Sequence, residues 1–115
     1  MTLKVLIVED EWLIALDHAS ILRDAGHEVV GPVATVDGAL ELIANTPIDL
    51  ALVDHQLGGD TSGVLIERLT QAGTHIIVAT GHNPKDLPQA LAELPTIGKP
   101  IDGRNLLALV ERLED

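Results

Sequence analysis

Five polar residues in this 115-residue chain stand directly after apolar runs, and together they could perform phosphorus chemistry. Glu9 and Asp10 follow residues 3–8 in "VEDEW", with Glu11 behind them. Asp54 closes "LALVD", Thr80 follows residues 76–79 in "VATG", and Lys99 precedes Pro100 in "GKP". Three carboxylates brought within a few ångströms cannot all stay ionised without cost. A hard divalent cation would neutralise them. An incomplete set of oxygen ligands suits Mg2+ (or Mn2+), which keeps waters and shares phosphate oxygens. A carboxylate beside such an ion can attack phosphorus and form an acyl phosphate. The equatorial oxygens of the transferring group then need cationic and hydroxyl partners, and Lys99 and Thr80 are of the right type.

Each residue alone has a plainer role. Glu9, Asp10 and Glu11 would suit a helix N-terminus through its dipole. Asp54 would cap a turn, Thr80 is an ordinary strand residue, and Lys99 would be a surface lysine at a turn. The joint pattern separates the two readings, because independent surface residues need not choose the same rim.

That rim must be built by the elements between them. Short apolar runs at 3–8, 29–33, 50–53, 76–79 and, more weakly, 96–97 are rich in Val and Ile, as expected of strands buried on both faces. Helical spacing fills the gaps. Ile14, Ile21, Leu22 and Ala25 share one stripe, Val36, Ala39, Leu40 and Ile43 a second, and Leu65, Leu69 and Ala72 a third. Leu87, Ala90, Leu91 and Leu94 form a fourth, and Leu106, Leu109, Val110 and Leu113 a fifth. Gly26 and Gly73 stand where C-terminal caps fall, Thr35 and Ser62 where N-caps fall, and Pro84 suits a first helical turn. Five βα units predict a parallel sheet covered on both faces. In such sheets ligands bind beyond the carboxyl ends of the strands, where strand order reverses. A strand order 2-1-3-4-5 brings the polar ends of strands 1, 3, 4 and 5 together and leaves the blander "GPVAT" outside.

Composition narrows the partners. The length argues for one domain spanning 1–115, with no linker and no effector domain. Seven basic against 18 acidic residues give a net charge of −11, which repels nucleic acid and anionic membranes. The absence of cysteine excludes disulfides and thiolate zinc sites. No apolar run reaches the roughly 18 residues of a membrane span, and no signal-peptide pattern opens the chain. A soluble cytoplasmic protein is expected.

The ordered set "VED", "LALVD", "VATG" and "GKP" resembles the receiver domain of two-component response regulators over the whole chain. The resemblance implies a flavodoxin-like, doubly wound (βα)5 fold. It implies a phosphoryl group donated by a sensor histidine kinase or phosphotransfer protein to Asp54. Asp10 would bind Mg2+ directly, and Glu9 directly or through water. Asp54 and the backbone carbonyl of Gln56 would complete the protein ligands. Thr80 and Lys99 would contact the phosphoryl oxygens, and the Lys99–Pro100 bond would be cis. Gln56 and His82 stand where dephosphorylation is often tuned. His18, His27, His55 and His75 show no metal spacing and read as structural or surface residues. "VEDEWLIALD", "GHEVVGPVATVDGALELI" and "VATGHNP" look like a subgroup with Phe-Ala-Thr-Gly on strand 4, found in alphaproteobacterial stress and sensory pathways. Val78 stands in place of its Phe.

The departures are informative. "DHQLGGDTSG" replaces the usual Met-Pro after the acceptor, and Gly58 and Gly59 suggest a looser loop. Thr96 occupies the position of the switch aromatic, so ordering of the 87–94 helix and the "GHNPKD" loop is expected to carry the change instead. Output is expected through a downstream protein target, from a monomer or weak homodimer. A pseudo-receiver that docks a partner without phosphotransfer is the alternative. Phosphate-binding glycine loops are absent, and "VEDEW" lacks the D-x-D of a haloacid-dehalogenase-type phosphatase. Trp12 becomes a reporter of the site.

Overall fold

Each predicted apolar run becomes a strand in the computed structural model, which describes residues 2–57, 60–61, 63–81 and 93–114, with only the backbone at 56, 57, 60, 61 and 114. β1 (Lys4–Val8), β2 (Glu28–Val33), β3 (Leu50–Asp54), β6 (His75–Thr80) and β7 (Thr96–Gly98) pair in parallel in the order β2-β1-β3-β6-β7. This is the doubly wound arrangement read from the sequence. Among the described residues four helices cover the sheet: α1 (Trp12–Asp24), α2 (Val36–Asn45), α3 (Gly63–Gln71) and α4 (Gly103–Glu114). The stripe at 87–91, together with Ser62, His82 and Pro84, lies outside the described residues.

Strand side chains alternate between faces, and the core divides accordingly. Leu6, Val8, Ala51, Val53, Ile76 and Val78 meet Ala39 of α2 and Leu65, Ile66 and Leu69 of α3. Val5, Ile7, Leu50, Leu52, Ile77 and Ala79 meet Ala15, Ala19 and Leu22 of α1 and Leu106 and Val110 of α4. β3 is buried from end to end, as an uninterrupted apolar strand in a two-faced sheet must be. β2 departs from this expectation. It is an edge strand with no fully buried residue, because only β1 flanks it.

Two helix faces differ from their sequence stripes. The buried face of α1 is Ala15, His18, Ala19 and Leu22. Ala25 is the C-cap and lies exposed. In α3 Ile66 joins Leu65 and Leu69, while Ala72 lies exposed just beyond the helix.

The caps follow the sequence. At the end of α1 the His27 N–H donates to the Leu22 carbonyl at 3.0 Å and the Gly26 N–H to the Arg23 carbonyl at 2.9 Å. This is a Schellman closure, and the same pattern at Thr74 and Gly73 ends α3. Thr35 caps α2, its hydroxyl accepting from the Gly38 N–H at 3.0 Å. Thr35→Ala is expected to lower the unfolding free energy by about 1 kcal/mol. Urea denaturation checks this, and an unchanged midpoint would show that the cap bond adds nothing.

Within "DHQLGGDTSG", Gly58 and Gly59, on which the expectation of a looser loop rested, lie outside the described residues. β4 (Gln56–Leu57) pairs antiparallel with β5 (Asp60–Thr61), Gln56 opposite Thr61 and Leu57 opposite Asp60.

A register shift in β2 bears on the site. Pairing with β1 runs Leu6↔Val30 and then Val8↔Val33, so β2 carries an extra residue. Gly31, at φ +91°, makes the bulge, and a cis bond joins it to Pro32. A side chain at 31 would meet backbone, 2.9 Å from the Val33 nitrogen and 3.3 Å from the Ile7 carbonyl oxygen. The shift presents the Val33 carbonyl to the Glu9 N–H, which donates to it at 2.9 Å.

Candidate functional site

The strand ends converge as the sequence pattern required. Glu9 leaves β1 and is buried, only 2% exposed. Its Oε1 accepts from the Glu11 N–H at 3.3 Å. Glu11 is the N-cap residue of α1, but its own side chain makes no cap hydrogen bond. Asp54 ends the central strand β3 and is 8% exposed. Asp10 lies exposed beside them. One carboxylate oxygen from each of Glu9, Asp10 and Asp54 falls within 4.8 Å of the others.

Lys99 closes this cluster. Its Nζ donates to Glu9 Oε2 at 3.0 Å and Oε1 at 3.2 Å, and lies 3.1 Å from Asp54 Oδ2. Its backbone N–H donates to the Thr80 carbonyl at 2.9 Å, so the end of β6 fixes the start of the turn that carries the ammonium. Thr80 is buried at the same strand end. The His55 N–H donates to the Ala79 carbonyl at 2.9 Å and anchors the chain just after Asp54. Gln56 opens β4 two residues past Asp54. The Lys99–Pro100 bond is cis. His82 lies outside the described residues.

The electrostatics match a crowded anionic pocket. Burial raises the Glu9 carboxyl above its ordinary 4.5, and the Asp54 charge adds to this. The Lys99 hydrogen bond and charge oppose it. For Lys99, burial alone would lower the ammonium. Hydrogen bonds to Glu9 and Asp54 and the charges of both outweigh it, and the net direction is upward from 10.5.

The donor set fits a hard cation. Three carboxylate oxygens from Glu9, Asp10 and Asp54 are an incomplete shell of the type Mg2+ accepts. Asp10 keeps one side open to solvent. Lys99 already neutralises part of the cluster, so an entering ion would share Glu9 and Asp54 with it.

Comparison with known proteins decides the family. The response regulator receiver domain family matches residues 5–111. The chain belongs to the response regulator receiver domains. Receiver domains of two-component systems bind Mg2+ in an acidic pocket and work with kinases or phosphotransfer proteins, and the acidic cluster of this receiver is Glu9, Asp10 and Asp54. The transcriptional regulatory protein PdtaR of Mycobacterium tuberculosis (strain H37Rv) is 30% identical over 112 residues, covering 94% of this chain and 55% of PdtaR. The chain thus spans about half the length of the curated relatives it matches. Among solved structures, SdrG from Sphingomonas melonis Fr1 is 30% identical with a TM-score of 0.86, over 99% of this receiver and 98% of SdrG. The response regulator PhyR from Brucella abortus is 30% identical with a TM-score of 0.86, over 98% of this receiver and 48% of PhyR. No helix among the described residues of this receiver is long and apolar enough to cross a membrane.

Sequence reasoning passed over one residue beside the site. His18 on α1 is buried, and lines a groove with Lys99. His18 lies three residues after Ala15 and four before Leu22, on the face of α1 that the fold buries.

Proposed function

We propose that this receiver accepts a phosphoryl group on Asp54 from a histidine kinase or phosphotransfer protein, and that the modified domain acts through contact with a protein target. The observation that carries this reading is the Asp54 carboxylate itself. It is nearly buried, it shares oxygens within 4.8 Å with Glu9 and Asp10, and it lies 3.1 Å from an ammonium.

In the proposed step an Asp54 oxygen attacks the phosphorus of the donor, the donor's bond to phosphorus breaks, and the leaving group departs with the electron pair of that bond, an imidazole leaving group taking its proton from solvent. The product is an acyl phosphate. Glu9, Asp10, Asp54 and the Gln56 backbone carbonyl would hold Mg2+, which when bound supplies charge neutralisation at the phosphoryl oxygens. Lys99 passes from the carboxylates to a phosphoryl oxygen, and the Thr80 hydroxyl donates to another. Burial of Glu9 and Thr80 excludes water from the inner side of the site. Gln56 and His82 are proposed to tune hydrolysis. Similarity to PhyR, a stress response regulator, supports placing this receiver with the Phe-Ala-Thr-Gly subgroup.

Intact-mass measurement after incubation with acetyl phosphate tests the reading. Wild type should gain one phosphoryl group with Mg2+ and almost none with chelator, and Asp54→Asn should gain none. Equal labelling of Asp54→Asn would remove Asp54 as acceptor. A folded wild type that no donor labels would leave docking without phosphotransfer.

A further inference from the structure

α1 turns Ala15, His18, Ala19 and Leu22 toward the core. Three of these are apolar, and the fourth is an imidazole only 3% exposed. A leucine would bury there at lower cost, because removing a polar ring from water is unfavourable. The location of His18 suggests why an imidazole stands there. His18 lines a groove of about 220 Å³ with Leu13 and Ile14 on its own helix and with Lys99, Pro100 and Ile101 across from it. The helix that starts beside Asp10 thus shares this groove with the turn that delivers the Lys99 ammonium to Glu9 and Asp54.

The charged groups around the ring come from three elements: Asp17 on α1, Lys99 after β7 and Asp54 at the end of β3. Burial holds the imidazole below its ordinary 6.5. The Lys99 charge adds to this, while Asp17 and Asp54 oppose it. The sign follows. Above pH 6.5 the ring is neutral folded and unfolded. As pH falls below 6.5 the unfolded chain binds a proton that the fold does not, and stability is lost. Lower still, the ring charges within the fold and faces an ammonium.

We infer that His18 is a positioning residue for Lys99: the neutral ring lines the groove that the Lys99–Pro100 turn also lines and leaves the ammonium on Glu9 and Asp54. A charged ring repels that ammonium and weakens its hold on the carboxylates. The consequence for phosphorylation rests on the reading of Asp54 as acceptor, but the placement of Lys99 does not.

Two measurements on the full chain separate these. By NMR, the Lys99 side-chain signals are followed from pH 8 to pH 5 together with the His18 ring, in wild type and His18→Leu. Lys99 signals should show a step at the His18 midpoint, below 6.5, and the step should be absent in His18→Leu. Lys99 signals that ignore the His18 titration overturn the inference, whatever happens to phosphorylation. Initial rates of labelling by acetyl phosphate at saturating Mg2+ give the second readout. The ratio of wild-type to His18→Leu rate should fall at least threefold from pH 8 to pH 5. A flat ratio overturns the proposed effect on the reaction. Loss of all labelling in both proteins, with the NMR step intact, rejects the acceptor reading and leaves the placement of Lys99 standing.

Discussion

Lys99→Ala is expected to destabilise the metal-free domain by about 2–3 kcal/mol and, on the proposed reading, to slow phosphorylation by about 10²–10³-fold. Removing one partner of a buried ion pair typically costs about 3–5 kcal/mol, because the remaining charge stays desolvated. The lower figure applies because the Lys99 side chain is 20% exposed and solvent screens part of the interaction. Glu9 suffers most, since it loses both hydrogen bonds from Nζ while staying buried. Glu9 also sets the direction of the pH effect. With its carboxyl raised, the fold holds that proton more tightly than the unfolded chain does. Its contribution is full below pH 4.5 and is lost as pH rises through the raised value. The rate effect is the usual size for deleting one donor to the charge that develops in a transition state. Mg2+ should therefore raise the melting temperature of Lys99→Ala more than that of wild type, since the cation replaces the missing charge. Differential scanning fluorimetry with and without Mg2+, beside labelling rates, checks both parts. A variant as stable as wild type without Mg2+ would show that the short Lys99 contacts contribute nothing to folding.

Gly31→Ala is expected to cost about 2–4 kcal/mol, although Gly31 is neither buried nor a site residue. The backbone at φ +91° disfavours any residue with a Cβ by about 1–2 kcal/mol. The added carbon would sit 2.9 Å from the Val33 nitrogen and 3.3 Å from the Ile7 carbonyl oxygen. Both are main-chain atoms that cannot rotate away, so relief requires a backbone shift of comparable cost. That shift moves Val33, whose carbonyl receives the Glu9 N–H at 2.9 Å. Mg2+ affinity should fall with stability, and Trp12, exposed two residues beyond Asp10, is placed to report it by fluorescence. Urea denaturation and a Mg2+ titration give the two readouts. Stability within about 0.5 kcal/mol of wild type would mean that β2 absorbs the side chain without strain.

The sequence made the sheet legible because its strands are buried on two faces. Runs such as "VLIV" and "LALVD" admit few alternatives once helical stripes separate them. The rim was legible for a related reason, since ligand residues at strand ends follow from topology. The pairing of Gln56–Leu57 with Asp60–Thr61 was not legible because residue composition does not reveal pairing. The Gly31 bulge was invisible because "VVGPV" reads as a single apolar run, and only the register reveals the extra residue. Whether His18 was structural or a surface residue stayed open for a third reason. An isolated histidine on a helix carries no period of its own, and its side is known only once Ala15, Ala19 and Leu22 are seen to face inward.

The two halves of the rim differ in how durably they are held. Asp54 ends a strand hydrogen-bonded on both sides, in the part of a sheet that exchanges its amides last. Lys99 follows β7, a three-residue strand that among the described residues is paired on one side only. Partial opening of that edge would withdraw the ammonium while the carboxylates kept their positions. On the proposed reading, the acceptor stands on the more durable half of the rim and its counter-charge on the edge.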